Sequence, residues 1–164
     1  MTRKPRAGGL RRRDSPAVHS RVSLGPQAGG LKPASLRTTR VRVRYAETDR
    51  MGVVYYANYL VWFEVGRTEW LRQTGWTYRE MERDGISLPV IEAHCEYRQP
   101  ARYDDELEIA TRGTLLTPVR IRFDYEVART ADGTVAASGH TVHAAVDPAG
   151  KPCRLPPRVR EMLS

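Results

Sequence analysis

Residues 45–60, Tyr45-Ala46-Glu47-Thr48-Asp49-Arg50-Met51-Gly52-Val53-Val54-Tyr55-Tyr56-Ala57-Asn58-Tyr59-Leu60, decide how this chain is read. Ahead of them, Val41, Val43 and Tyr45 alternate with Arg40, Arg42 and Arg44, the period of a strand with one buried face. Behind them the period changes: Tyr59, Phe63, Gly66 and Trp70 recur at helical spacing, widened by Leu60 and Leu71. The helix is expected from residue 58, with Asn58 as its N-cap, to about residue 74, where Gly75 fits a C-terminal stop. The loop between strand and helix combines a carboxylate, Asp49, with Gly52 and an apolar run, Val53-Val54-Tyr55-Tyr56. A solvated turn has no use for such a run, whereas the lining of a cleft does. A loop Asp is most often a turn former. Beside an apolar lining it can instead serve as base or nucleophile, and the N–H groups of a helix N-terminus are fixed donors to negative charge.

Downstream, residues 77–84 read as a short second helix closed by Gly85. Strand patterns follow at 88–98, 106–116, 119–129 and 134–146, then a short C-terminal helix opened by Pro156-Pro157. Gly66 in mid-helix costs about 1 kcal/mol against Ala, and a close approach to a neighbouring sheet would account for it. The expected class is α+β: an antiparallel sheet of about five strands, joined largely by hairpins, with one long helix laid on one face. The long alternating strand 119–129 is read as an unpaired edge, which a symmetric dimer would cover.

The 164 residues allow one domain. The formal charge of +8 is unevenly spread. Residues 1–40 hold ten of the 27 Lys and Arg but only one of the 19 acids, Asp14, leaving 17 bases and 18 acids in the remainder. Residues 1–38 are therefore expected to form a disordered basic tail, and 39–164 a near-neutral domain with no electrostatic call for nucleic acid. An Arg-rich, acid-poor start is also compatible with an organellar transit peptide. Cys95 and Cys153 form no CxxC motif or disulfide framework, which fits a reducing compartment. No apolar run is long enough to span a membrane, and the first 30 residues lack a secretory apolar region, so a cytoplasmic location is expected.

Other chemistry-bearing residues have plainer readings. Glu64 and Arg67 are spaced for an i,i+3 ion pair, and Glu47 is expected to be solvated in its loop. His140 and His143 should face opposite sides of one strand, so no metal site is read from them. His94, beside Cys95, fits packing or an interface. GxSxG, P-loop and GxGxxG motifs are absent.

The stretches RYAETDRMGVVYYANYLVWFEVGRTEWLR, GISLPVIEAHCEYRQPARYDDELEI and ASGHTVHAAVDPAGKPCRLP occur in that order. They resemble the hotdog-fold acyl-CoA thioesterases of the 4-hydroxybenzoyl-CoA thioesterase family, of the Tol-Pal-associated kind, over residues 39–163. The resemblance implies a hotdog fold with the sheet wrapped on a central helix. It also implies hydrolysis of an acyl-CoA or acyl-carrier-protein thioester, which is the substrate, with no metal and no bound cofactor. Asp49 would be the catalytic carboxylate and Tyr56 the residue whose backbone N–H polarises the thioester carbonyl. Gly52, Val53, Val54, Tyr55 and Asn58 would contact substrate from the loop, and Thr117 and Arg120 from the turn between the third and fourth strands. A homodimer or homotetramer is implied, with Asp49 and the Tyr56 N–H coming from different chains or meeting across the seam. Two other readings remain open: a hotdog hydratase or dehydratase, against which stands the absence of a His after Asp49 in the loop, and a non-catalytic acyl-binding scaffold.

Overall fold

The structure is a computed structural model and describes residues 36–163. The expected tail, 1–38, falls almost wholly outside the described residues. Strand β1 (Leu36–Arg42) begins ahead of the expected start at Thr39. A 3-10 turn (Tyr45–Glu47), helix α1 (Asn58–Gln73), helix α2 (Tyr78–Arg83), strands β2 (Val90–Tyr97), β3 (Glu106–Thr117), β4 (Arg120–Arg129) and β5 (Val135–Ala144), and helix α3 (Pro157–Leu163) complete the order. Every strand pair is antiparallel and the sheet order is β1-β3-β4-β5-β2. This is the expected α+β class, five strands and one long helix.

The connections differ in one respect from those expected. β3, β4 and β5 form hairpins, but β2 does not pair with β3; it crosses to the far edge and pairs with β5. Strand 119–129 is therefore central, with both edges hydrogen-bonded, and the open edges belong to β1 and β2. Alternation reports the two faces of a strand, not its neighbours.

Helix α1 lies on the sheet through Tyr59, Trp62, Phe63, Gly66, Arg67, Trp70 and Leu71. Phe63 stacks on Tyr125 at 4.4 Å, and Trp70 meets Phe123 edge-on at 5.4 Å. Gly66 sits where the helix comes closest: a Cβ there would lie 2.5 Å from Thr111 Oγ1 and 2.8 Å from Ile109 Cγ2. The expected stripe is rotated slightly, so Trp62 is buried while Leu60 faces outward. Tyr45 is also exposed, because the chain leaves the sheet at the 3-10 turn. Arg67 is buried and does not pair with Glu64; its guanidinium donates to the Tyr78 hydroxyl and lies over that ring. His143 is buried on the helix side of β5, while His140 lies on the outer side, stacked on His94 and bonded to Glu92 at 2.7 Å.

Candidate active site

The segment from Thr48 to Val54 folds back as a tight loop, its ends joined by an isolated antiparallel bridge. Gly52 makes the reversal possible at φ +72°, a conformation that L side chains rarely adopt. Asp49 is fixed inside this loop. Its N–H donates to Val53 O at 2.9 Å, its carbonyl accepts from Gly52 N–H at 3.0 Å, and its Oδ1 accepts from Met51 N–H at 2.8 Å. One carboxylate oxygen thus holds the loop while the side chain remains half-buried.

Glu47, expected to be solvated, anchors the loop instead. It is buried, and its carboxylate accepts from Arg44 N–H at 2.7 Å, the Arg44 guanidinium at 3.0 Å and the Trp62 indole at 3.4 Å. Burial alone would raise its pKa, but these donors outweigh burial and hold the carboxyl below its ordinary value. The Glu47 carbonyl also accepts from Tyr55 N–H and from the Asn58 side-chain amide, each at 2.9 Å. Asn58 is therefore not the N-cap. Ala57 occupies that position with no side-chain cap, and the Asn58 amide ties the helix start back to the loop.

The first turn of α1 is held by tight bonds from Asn58, Tyr59 and Leu60 N–H to the Tyr55, Tyr56 and Ala57 carbonyls respectively, at 3.0–3.4 Å. The Tyr56 N–H has no acceptor among the described residues. A cleft of about 270 Å³ opens beside it, lined by Val53, Val54, Tyr56 and Tyr59, and across from them by Tyr97, Arg98, Gln99 and Pro100. Tyr97 packs edge to face on Tyr59 at 5.4 Å and on Tyr56 at 6.4 Å. Burial, with Cys95 nearby, pushes the Tyr97 phenol up to about 12, so it remains a proton donor.

Of the residues expected to form the site, Asp49, Gly52, Val53, Val54, Tyr55, Tyr56 and Asn58 lie in one continuous segment of one chain. Val53, Val54 and Tyr56 line the cleft, and Tyr55 packs on the Tyr56 ring at 4.5 Å. Thr117 and Arg120 face each other across the β3–β4 hairpin, about 35 Å along β3 from the loop end of the sheet. One chain does not bring them to the cleft. The β2 wall is not among the residues expected to form the site, although its parity was visible: Ala93, Cys95 and Tyr97 alternate with Glu92, His94 and Glu96, and of the apolar set Cys95 packs against the core and Tyr97 against Tyr59 of α1. Among the described residues, no three His, Cys, Asp or Glu side chains are grouped to hold a metal ion, and no helix is long and apolar enough to cross a membrane.

A family model described as the thioesterase-like superfamily matches residues 43–163. The chain belongs to this superfamily. Its sheet wrapped on α1 is the hotdog fold. The acyl-CoA thioester hydrolase YbgC of Escherichia coli O157:H7 is 35% identical over 117 residues, 71% of this chain and 87% of that protein. YneP of Bacillus subtilis is 46% identical over 71 residues, 43% of this chain and about half (51%) of that protein. Among solved structures, Slr0204, a 1,4-dihydroxy-2-naphthoyl-CoA thioesterase from Synechocystis, superposes with a TM-score of 0.73 at 25% identity, covering 78% of this chain and 95% of that one.

Proposed function

We propose that this hotdog protein hydrolyses acyl thioesters of coenzyme A, with Asp49 as the catalytic carboxylate and the Tyr56 N–H as the oxyanion donor. The observation that carries the reading is the single segment 49–56, which joins a fixed carboxylate to an unengaged N–H at a helix N-terminus, beside an apolar cleft. With the thioester carbonyl oxygen on the Tyr56 N–H, negative charge developing on that oxygen meets a donor already in place. Asp49 then has two balanced routes. As a base it takes a proton from water, the hydroxide adds to the carbonyl carbon, and collapse expels the coenzyme A thiolate, which takes up the proton. As a nucleophile it adds directly, expels the thiolate and leaves a mixed anhydride; water then adds to the Asp49 carboxyl carbon of that anhydride, the acyl carboxylate leaves and the Asp49 carboxylate is restored. A single turnover in ¹⁸O-water separates the routes, because only the second leaves label in Asp49.

The working unit in this reading is a dimer joined along β2. That strand is an open edge with Val90, Ile91 and Tyr97 half-exposed. Antiparallel pairing of two copies sets the Tyr97 end of one beside the Val90 end of the other. Val90 pairs with His143, and Ile121 with the same residue, so the Val90 end is also the Thr117–Arg120 end of the sheet. A partner's Thr117 and Arg120 would thus approach the cleft, where Arg120 suits a coenzyme A phosphate or an acidic carrier protein. Residues 1–38 have no part in the site in this reading.

Asp49→Asn tests the assignment. The amide oxygen can still accept from Met51 N–H, so the loop should hold its shape while kcat falls by about 10²–10⁴-fold. Undiminished hydrolysis by the purified variant would refute it.

A further inference from the structure

We infer that Tyr97 is a positioning residue for thioester hydrolysis, its hydroxyl fixing the carbonyl of Tyr56, in the peptide unit that immediately follows the one presenting the Tyr56 N–H to the substrate carbonyl. The inference rests on the proposed role of that N–H, and the geometry around it supplies the rest.

A helix start that must offer N–H groups to a substrate cannot spend them on a cap. Ala57 accordingly provides no side-chain cap, and the first turn is joined by bonds one residue tighter than those of an α-helix. Such a turn needs holding from outside. On the loop side, Tyr55 N–H donates to Glu47 O at 2.9 Å. On the sheet side, the Tyr97 hydroxyl donates to Tyr56 O at 3.2 Å. These two bonds fall on either side of the Tyr56 N–H, so the chain is pinned just before and just after the donor while the donor itself stays unengaged. Among the described residues, the Tyr56 carbonyl otherwise accepts only a long bond, 3.4 Å, from Tyr59 N–H. The Tyr97 ring reinforces the clamp by packing on Tyr56 and Tyr59.

Tyr97 is also the last residue of the open edge strand, paired with Ala137 on β5. The donor is thereby referenced to the sheet, not only to its own flexible loop. An oxyanion donor gives its full effect only when it is preorganised, so losing the tether should be felt in the chemical step more than in binding.

Tyr97→Phe keeps the ring and removes the hydroxyl. With wild-type protein active on an acyl-CoA such as benzoyl-CoA, the Phe variant should lose about tenfold in kcat, with KM changed less than twofold. A second readout is independent of turnover. In a complex with a ¹³C-carbonyl dethia ketone analogue of that substrate, the C=O stretch should move toward its solution frequency in the Phe variant. Tyr97→Leu, which also removes part of the cleft wall, should add a rise in KM. A Phe variant with wild-type kcat would overturn the inference, as would a slowed one whose bound carbonyl stretch is unchanged. If Phe behaves as wild type and Leu is impaired, the ring packs and the hydroxyl does not position. A wild-type protein inactive on every thioester tested would overturn the proposed function, and this inference with it.

Discussion

Replacing Gly66 by Ala tests whether the close helix–sheet approach is what holds α1. In isolation the change favours the helix by about 1 kcal/mol. The structure opposes it, because the new methyl would lie 2.5 Å from Thr111 Oγ1 and 2.8 Å from Ile109 Cγ2, where carbon contacts settle near 3.5–4.0 Å. Neither neighbour can step aside. Both are β-branched, both are buried, and both stand in the middle of β3 between hydrogen-bonded strands. The helix must lift instead, loosening the Phe63–Tyr125 and Trp70–Phe123 contacts. Overpacking of this kind costs about 1–3 kcal/mol, and the upper part of that range applies because two rigid groups are struck at once. The net expectation is a loss of about 1–2 kcal/mol, or about 3–8 °C in melting temperature. Urea denaturation should show a lower midpoint with an unchanged m-value. A Gly66→Ala protein that melts at or above the wild-type temperature would refute the reasoning.

Two other outcomes are expected. Burial, with a smaller effect from nearby Arg67, lowers the His143 pKa to about 4 despite the Leu88 carbonyl bond, which favours the charged ring. The unfolded chain takes up that proton near pH 6.5, so stability should fall as pH drops from about 6.5 to about 4, by about 3 kcal/mol in all, and then level off. His143→Gln should flatten that decline in urea titrations, and an equally steep decline in the variant would assign it to other groups. Light scattering should give a dimer or a dimer of dimers, with a charged substitution on β2 such as Ala93→Arg shifting the mass toward 18.6 kDa and lowering activity together; a fully active monomer would refute the β2 assembly.

Much of this was legible in the chain because it rests on local periodicity. The strand before Asp49, the helix after it and the later strands each carry their own repeat, and the value of Gly66 could be read from its cost alone. What was not legible depends on contacts between distant residues. Glu47 looks like a loop acid until folding brings the Trp62 indole and the Arg44 backbone onto its carboxylate. Asn58 has the composition of a cap, yet its amide is drawn away to the Glu47 carbonyl and Ala57 takes the position. Arg67 is spaced for Glu64 but is turned inward to Tyr78. The place of β2 beside β5 cannot be inferred from either strand's alternation, and with it went the Tyr97 wall of the cleft.

The same placement has a consequence for how the chain is made. β2 is synthesised early but lies at the sheet edge, and its partner runs from Ala137 to His143. During translation, residues 90–97 must therefore wait for the β3–β4–β5 meander to emerge and close. That meander has the shorter loops to close and should form first. Until then, Ile91, Ala93, Cys95 and Tyr97 are an unpaired apolar strand on a nascent chain, the kind of segment that chaperones bind and that seeds aggregation. Yield from overexpression should thus be governed by the delay between the ribosome's passage over residue 97 and residue 143, and synonymous changes that alter elongation between those points should change soluble yield without changing a single contact in the finished fold.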